Sequence, residues 1–175
     1  YNRYDIKVLK RPYIKKFQVR INYPAYTGLQ SEVLEDNIGD FKAIKGSWIS
    51  WEMEPQGDIE GAFFVDEQKK DPKPFESKGE EGAFVHKKRL MENLDYFISL
   101  NSVDGIPNID TVKYRADVVL DRYPSVYVFS PNSDFLVDLD PSMPLELEIA
   151  DDFGFTKMAL YYRFTKSGGT SEVTP

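Results

Sequence analysis

Phe17-Gln18-Val19-Arg20-Ile21-Asn22-Tyr23-Pro24-Ala25-Tyr26-Thr27-Gly28 decides the fold class of this chain. Through its first seven residues apolar and polar side chains alternate. Phe17, Val19, Ile21 and Tyr23 fall on one side of an extended backbone, and Gln18, Arg20 and Asn22 on the other. A period of two marks a half-buried β-strand. The strand also has a chemical stop, because Pro24 removes a ladder donor and Gly28 admits positive φ in the turn that follows.

The same period recurs outward from this stretch. Trp48 and Ser50 oppose Ile49 and Trp51, so one indole faces a core and the other covers an edge or meets a neighbour. Phe84, Lys87 and Arg89 belong to a further short run. Tyr96, Ile98 and Leu100 alternate with Phe97 and Ser99, and Leu145, Leu147 and Ile149 alternate with Glu146 and Glu148. Turn chemistry separates the runs at Asn37-Ile38-Gly39-Asp40, Pro55-Gln56-Gly57-Asp58, Asp104-Gly105 and Pro131-Asn132. Only Lys87 to Leu94 admits a helical reading. It is short and uncapped, and a strand entering a tight corner fits it better.

The spacing predicts an all-β chain of tandem immunoglobulin- or fibronectin-III-like β-sandwich modules, the second incomplete. The first, over 11–120, has strand A at 17–23, a short edge strand at 41–44, B at 47–54, C at 59–66, E at 82–90, F at 95–101 and G at 111–120. The Lys-, Asp- and Glu-rich stretch 67–81 reads as a connection with at most one short edge strand. Tyr96, near the start of F, is expected to turn its hydroxyl back to backbone at the E–F corner. Residues 121–124 read as a linker, after which the pattern restarts: Val126 and Val128 before Pro131, Leu145 to Ile149, then Asp152-Phe153 before Met158, Leu160 and Tyr162. Residues 125–175 supply about four strands, too few for a closed sandwich, so this sheet needs a covering layer. Tyr4 to Leu9, within 1–10, reads as a terminal strand of a preceding module.

Composition narrows the function classes. Of 175 residues, 41% are hydrophobic and 29% charged, the balance of a globular chain, and 14% are aromatic, which suits pleated half-buried surfaces. A net charge of −7 opposes a nucleic-acid partner, and Lys10-Arg11 with Lys15-Lys16 is too short to reverse it. The absence of Cys excludes disulfides and thiolate metal sites. No apolar run approaches the ~20 residues of a spanning helix. The start at Tyr1 and the Gly-rich tail near Lys166 to Thr170 read as those of a segment of something longer, with any anchor elsewhere.

Three motifs carry a family resemblance. They are Arg11-Pro12 and Val19-Arg20-Ile21 followed by Tyr23-Pro24-Ala25-Tyr26-Thr27-Gly28; Gly39-Asp40-Phe41-Lys42-Ala43-Ile44-Lys45-Gly46-Ser47; and Ala150-Asp151-Asp152-Phe153-Gly154-Phe155 followed by Leu160-Tyr161-Tyr162-Arg163. Over roughly 11–165 the chain resembles DUF4175, a domain-of-unknown-function family of large cell-envelope proteins of Bacteroidetes-type bacteria. The resemblance implies a membrane-anchored parent, immunoglobulin-like regions outside the cytoplasm (periplasm or envelope) and no established catalytic residue.

The residues themselves assign no catalytic, cofactor-binding or metal site, and no cofactor. His86, the single histidine, lies in an alternating run with no evident triad or metal partner. No phosphate-binding glycine motif occurs. Asp134, Asp138 and Asp140, with Asp151 and Asp152, have oxygen-ligand character for a cation such as calcium but match no complete calcium loop, and turns favour Asp in any case. Glu52-Glu54 and Glu80-Glu81 are too close together for two-carboxylate glycoside hydrolysis. The expectation is a non-catalytic structural or interaction module that contacts an envelope protein or a neighbouring module. The alternative is a carbohydrate-binding module using Tyr13, Tyr23, Tyr26, Trp48 and Trp51. A hydrolase built on the loops Pro55–Asp58 and Ser102–Asp110 stands third.

Overall fold

The computed structural model describes residues 9–78, 82–108, 111–131, 143–164 and 172–174. The chain divides into two compact units, Tyr1–Asp121 and Arg122–Pro175. Among the described residues regular structure is β apart from a single 3-10 turn, Ala25–Thr27.

Among its described residues the first unit has ten strands: β1 Tyr13–Asn22, β2 Glu32–Val33, β3 Phe41–Ile44, β4 Trp48–Gln56, β5 Ile59–Asp66, β6 Lys73–Pro74, β7 Glu76–Lys78, β8 Ala83–Arg89, β9 Leu94–Ser102 and β10 Lys113–Val119. They form two five-stranded sheets, in the orders β2-β1-β4-β8-β7 and β3-β10-β9-β5-β6. Every pairing is antiparallel except β3 with β10.

Alternation in the sequence explains how the sheets meet. Phe17, Val19 and Ile21 of β1 and Ile49, Trp51 and Met53 of β4 point inward from one sheet. Ala62 and Phe64 of β5, Leu94, Tyr96, Ile98 and Leu100 of β9 and Ala116 of β10 point inward from the other. The two sets form one apolar cluster, the arrangement of a β-sandwich. Trp51 lies at its centre with its ring centroid 4.7 Å from that of Phe64 and 5.4 Å from that of Tyr96. Its indole N–H is buried with no hydrogen-bond partner among the described residues.

The expected strand A ends as predicted. The 3-10 turn closes on Gly28 at φ 67°, and the Thr27 hydroxyl donates to the Pro24 carbonyl at 2.8 Å. Four details differ from expectation. β1 begins at Tyr13, because its first residues pair with Pro55 and Gln56 of a longer β4. β2 adds an edge that period two cannot reveal in two residues. The stretch 67–81 holds two short strands, and they lie in different sheets: β6 pairs with β5, and β7 with β8. The Tyr96 hydroxyl does not stay at the E–F corner. It donates at 2.7 Å to the carbonyl of buried Gly39, in the turn before β3. That turn is tight, since a Cβ on Gly39 would lie 2.4 Å from the Tyr114 ring.

In the second unit β11 Ser125–Ser130 pairs with β12 Glu146–Ala150, and β13 Tyr162–Phe164 with β14 Glu172–Thr174. The strand expected through Met158 and Leu160 is not formed; regular structure resumes only at Tyr162. In the Asp151-Asp152-Phe153-Gly154 turn, Asp151 Oδ2 accepts from the Phe153 N–H at 3.1 Å and Gly154 takes φ 84°. Tyr4 to Val8 and the tail Lys166 to Thr170 lie outside the described residues.

Candidate functional site

One edge of the sandwich is crossed by a single segment. Lys73–Pro74 belongs to one sheet and Glu76–Lys78 to the other, so Phe75 passes between them and buries its ring. The Phe75 N–H donates to the Ala62 carbonyl at 2.8 Å. Beside this crossing lies a cleft of about 640 Å³, bordered by Phe64, Asp66, Pro74, Val85, His86 and Lys88 among others. Register explains its polar wall. β8 sets His86 opposite Trp51 and Lys88 opposite Ile49, so both side chains face between the sheets.

Most of the polar groups at this wall have a structural partner. The His86 ring stacks on Phe64 at 4.7 Å and 14° and lies 5.5 Å from Phe75. Its Nδ1 is 3.3 Å from the Pro74 carbonyl, the geometry of the tautomer with a proton on Nδ1. Burial holds the imidazole below its usual proton affinity. The Pro74 carbonyl and Glu76 oppose that effect, and the Lys88 charge adds to it. Lys88 crosses to Asp66 of the opposite sheet at 2.9 Å, with its ammonium 5.7 Å from the Phe64 ring centre. Burial would raise the Asp66 carboxyl, but Lys88 and the N–H groups of Lys69 and Gln68 outweigh it and hold the group below the usual carboxylate range. Lys73 is paired with Asp71, and Lys69 with Glu92. The chemistry on display is that of a clasp between two sheets.

The candidate sugar-stacking rings do not share one face. Trp51 is 0% exposed and offers no face to a ligand, a correction to its place in that set. Tyr23 donates its hydroxyl to Glu32 at 2.7 Å, and with burial as the leading cause its pKa is pushed up to about 12. Tyr13 pairs across from Gln56 and Trp48 across from Asn22, at opposite ends of the β1–β4 ladder. Nine residues of strand put them about 30 Å apart, too far for one platform. Trp48, 56% exposed, borders a shallow hollow with Asn22, Ser50 and Lys87, and Tyr26, 52% exposed, lies in the 3-10 turn that follows β1.

The loop 102–108 is more ordered than its composition implies. Ser102 accepts from the Gly105 N–H through its carbonyl and from the Ile106 N–H through its hydroxyl, and Asn108 caps the Leu100 N–H at 3.0 Å. Asp134, Asp138 and Asp140 lie outside the described residues. Among the described residues no three His, Asp or Glu side chains converge to hold a metal, Asp151 and Asp152 included.

In the second unit the β11–β12 ladder leaves large apolar groups in the open. Val126, Tyr127, Val128 and Phe129 are each more than half exposed. The aliphatic half of this pattern, Val126 and Val128, is visible in the sequence alone. Tyr127 is not, since its signal is its place opposite Glu148, a relation only the pairing register supplies. No known family model, curated protein or solved structure matches the chain significantly.

Proposed function

We propose that this chain is a non-catalytic structural and interaction module of a larger, membrane-anchored bacterial envelope protein, with immunoglobulin-like architecture and a location outside the cytoplasm. The architecture reading is supported by strand order. In immunoglobulin lettering β1-β4-β8-β7 reads A-B-E-D, and β3-β10-β9-β5-β6 reads A′-G-F-C-C′. The second unit is read as a partial module of the same kind, and the envelope location rests on the resemblance to DUF4175.

The observation that carries the functional reading is the exposed β11 strand. Consecutive residues of a strand face opposite ways, so four consecutive apolar residues in the open ask for cover on both faces. Asp66, Lys88 and His86 of the first unit meanwhile serve its own cohesion. Crosslinking of the parent protein in intact cells tests the reading. A protein partner joined to residues 125–150 is expected, and protease protection showing the segment in the cytoplasm counts against it.

The carbohydrate-binding alternative keeps one observation, the exposed Trp48 ring beside the polar Asn22 and Ser50. Glycan-array binding lost on Trp48→Ala is its expected signature. An unchanged array profile removes it.

A further inference from the structure

We propose that one face of the β11–β12 ladder, built on Tyr127, Glu146 and Glu148, docks a basic protein segment; this rests on the interaction-module reading and names the partner's chemistry. Register divides the ladder into two unlike faces. Val126 sits opposite Ile149 and Val128 opposite Leu147, which makes one face aliphatic. Tyr127 sits opposite Glu148 and Ser130 opposite Glu146, which makes the other aromatic and acidic, with Phe129 at the register shift beside it.

The second face selects by charge. Tyr127 is 60% exposed, and on the paired strand Glu148 directly opposite it and Glu146, two residues along, are both exposed. No ion pair among the described residues engages either carboxylate. A lysine or arginine laid across this face meets a carboxylate and the π face of a phenol together. The wider field points the same way. Residues 122–175 carry eight acidic side chains against four basic ones, the larger share of the net charge of −7 in under a third of the chain. An acidic or phosphate-bearing partner is repelled there, and a basic one is drawn in. The aliphatic face has no feature that distinguishes one apolar partner from another.

The test places a photo-crosslinking phenylalanine analogue at position 127, and separately at position 13, in the full parent protein in its own cells. Crosslinked segments are read by mass spectrometry. The expected result is a Lys- or Arg-rich segment captured from position 127. Its yield should fall at least about tenfold in E146Q/E148Q, recover in E146D/E148D, and weaken in permeabilised cells as salt is raised to about 0.5 M. The Asp variant guards against a fold defect, since it keeps the charge. Capture of an acidic or uncharged segment, of a second copy through its aliphatic face, or of glycan overturns the proposal. A protein captured from position 13 and none from 127 overturns it while leaving the interaction-module reading in place, and capture from neither position removes both.

Discussion

Tyr96 shows how much one hydroxyl can fix. Burial pushes its phenol well above the usual tyrosine range, so the group stays protonated and donates to the Gly39 carbonyl. Tyr96→Phe leaves that buried carbonyl short of a donor and is expected to cost about 1–3 kcal/mol in urea unfolding followed by tryptophan fluorescence. Gly39→Ala should cost at least as much, because its Cβ meets the Tyr114 ring, which is itself stacked on Phe17 at 5.3 Å. His86 makes a prediction of sign. Its folded-state proton affinity lies below the unfolded one, so the unfolded chain binds more protons as the pH drops. Its contribution is whole above about pH 6.5 and declines as the pH falls through the lower folded value. As the single histidine, it should account for most of the stability slope between about pH 7.5 and 5.5, and His86→Phe should flatten that slope while keeping a ring against Phe64. A slope unchanged in the variant refutes the assignment.

At the scale of elements, the strands legible in the sequence are those with one wet and one dry face. β5 and β9 alternate in burial along their whole length and β1 from Phe17 to Asn22, and β4 sends Ile49, Trp51 and Met53 to one face, long enough for period two to stand out. β2, β6 and β7 run two or three residues and are fixed by partners distant in sequence, which no local pattern encodes. The clasp between the sheets was hidden for the same reason. Lys88 and Asp66 are 22 positions apart, and each looks like an ordinary surface charge until register turns both inward. Removing one partner leaves the other poorly solvated, so Asp66→Asn is expected to cost about 1–3 kcal/mol, with Lys88, about one-third exposed, recovering part through water. Asp66 is held below its usual range, so its share of stability is complete above about pH 4 and fades as the pH drops through the folded value. Acid unfolding of Asp66→Asn should therefore be shallower than that of the wild type. Phe75→Ala, which empties the crossing point between the sheets, should cost about 2–4 kcal/mol.

Across the whole molecule the two units differ in how much of their apolar surface is covered, and hydrogen exchange reads that difference amide by amide. In the first unit β4 and β9 are flanked by strands on both sides and carry the centre of the core in Trp51, Tyr96 and Leu100. Their amides should exchange only through the largest openings of the sandwich, while those of β6 and β7 at its edges exchange through small local ones. In the second unit β11 and β12 form a two-stranded ladder with Val126, Val128 and Tyr127 in the open, an arrangement with little stability of its own in water. Their amides are expected to exchange orders of magnitude faster than those of β4 at low protein concentration. Covering its faces should slow them, so protection at 126–129 and 147–149 that rises with an added partner, while β4 stays unchanged, marks this ladder as the docking element. Protection there already equal to that of β4 in the dilute chain means the faces are covered within the chain itself, and the interaction surface must then be sought elsewhere.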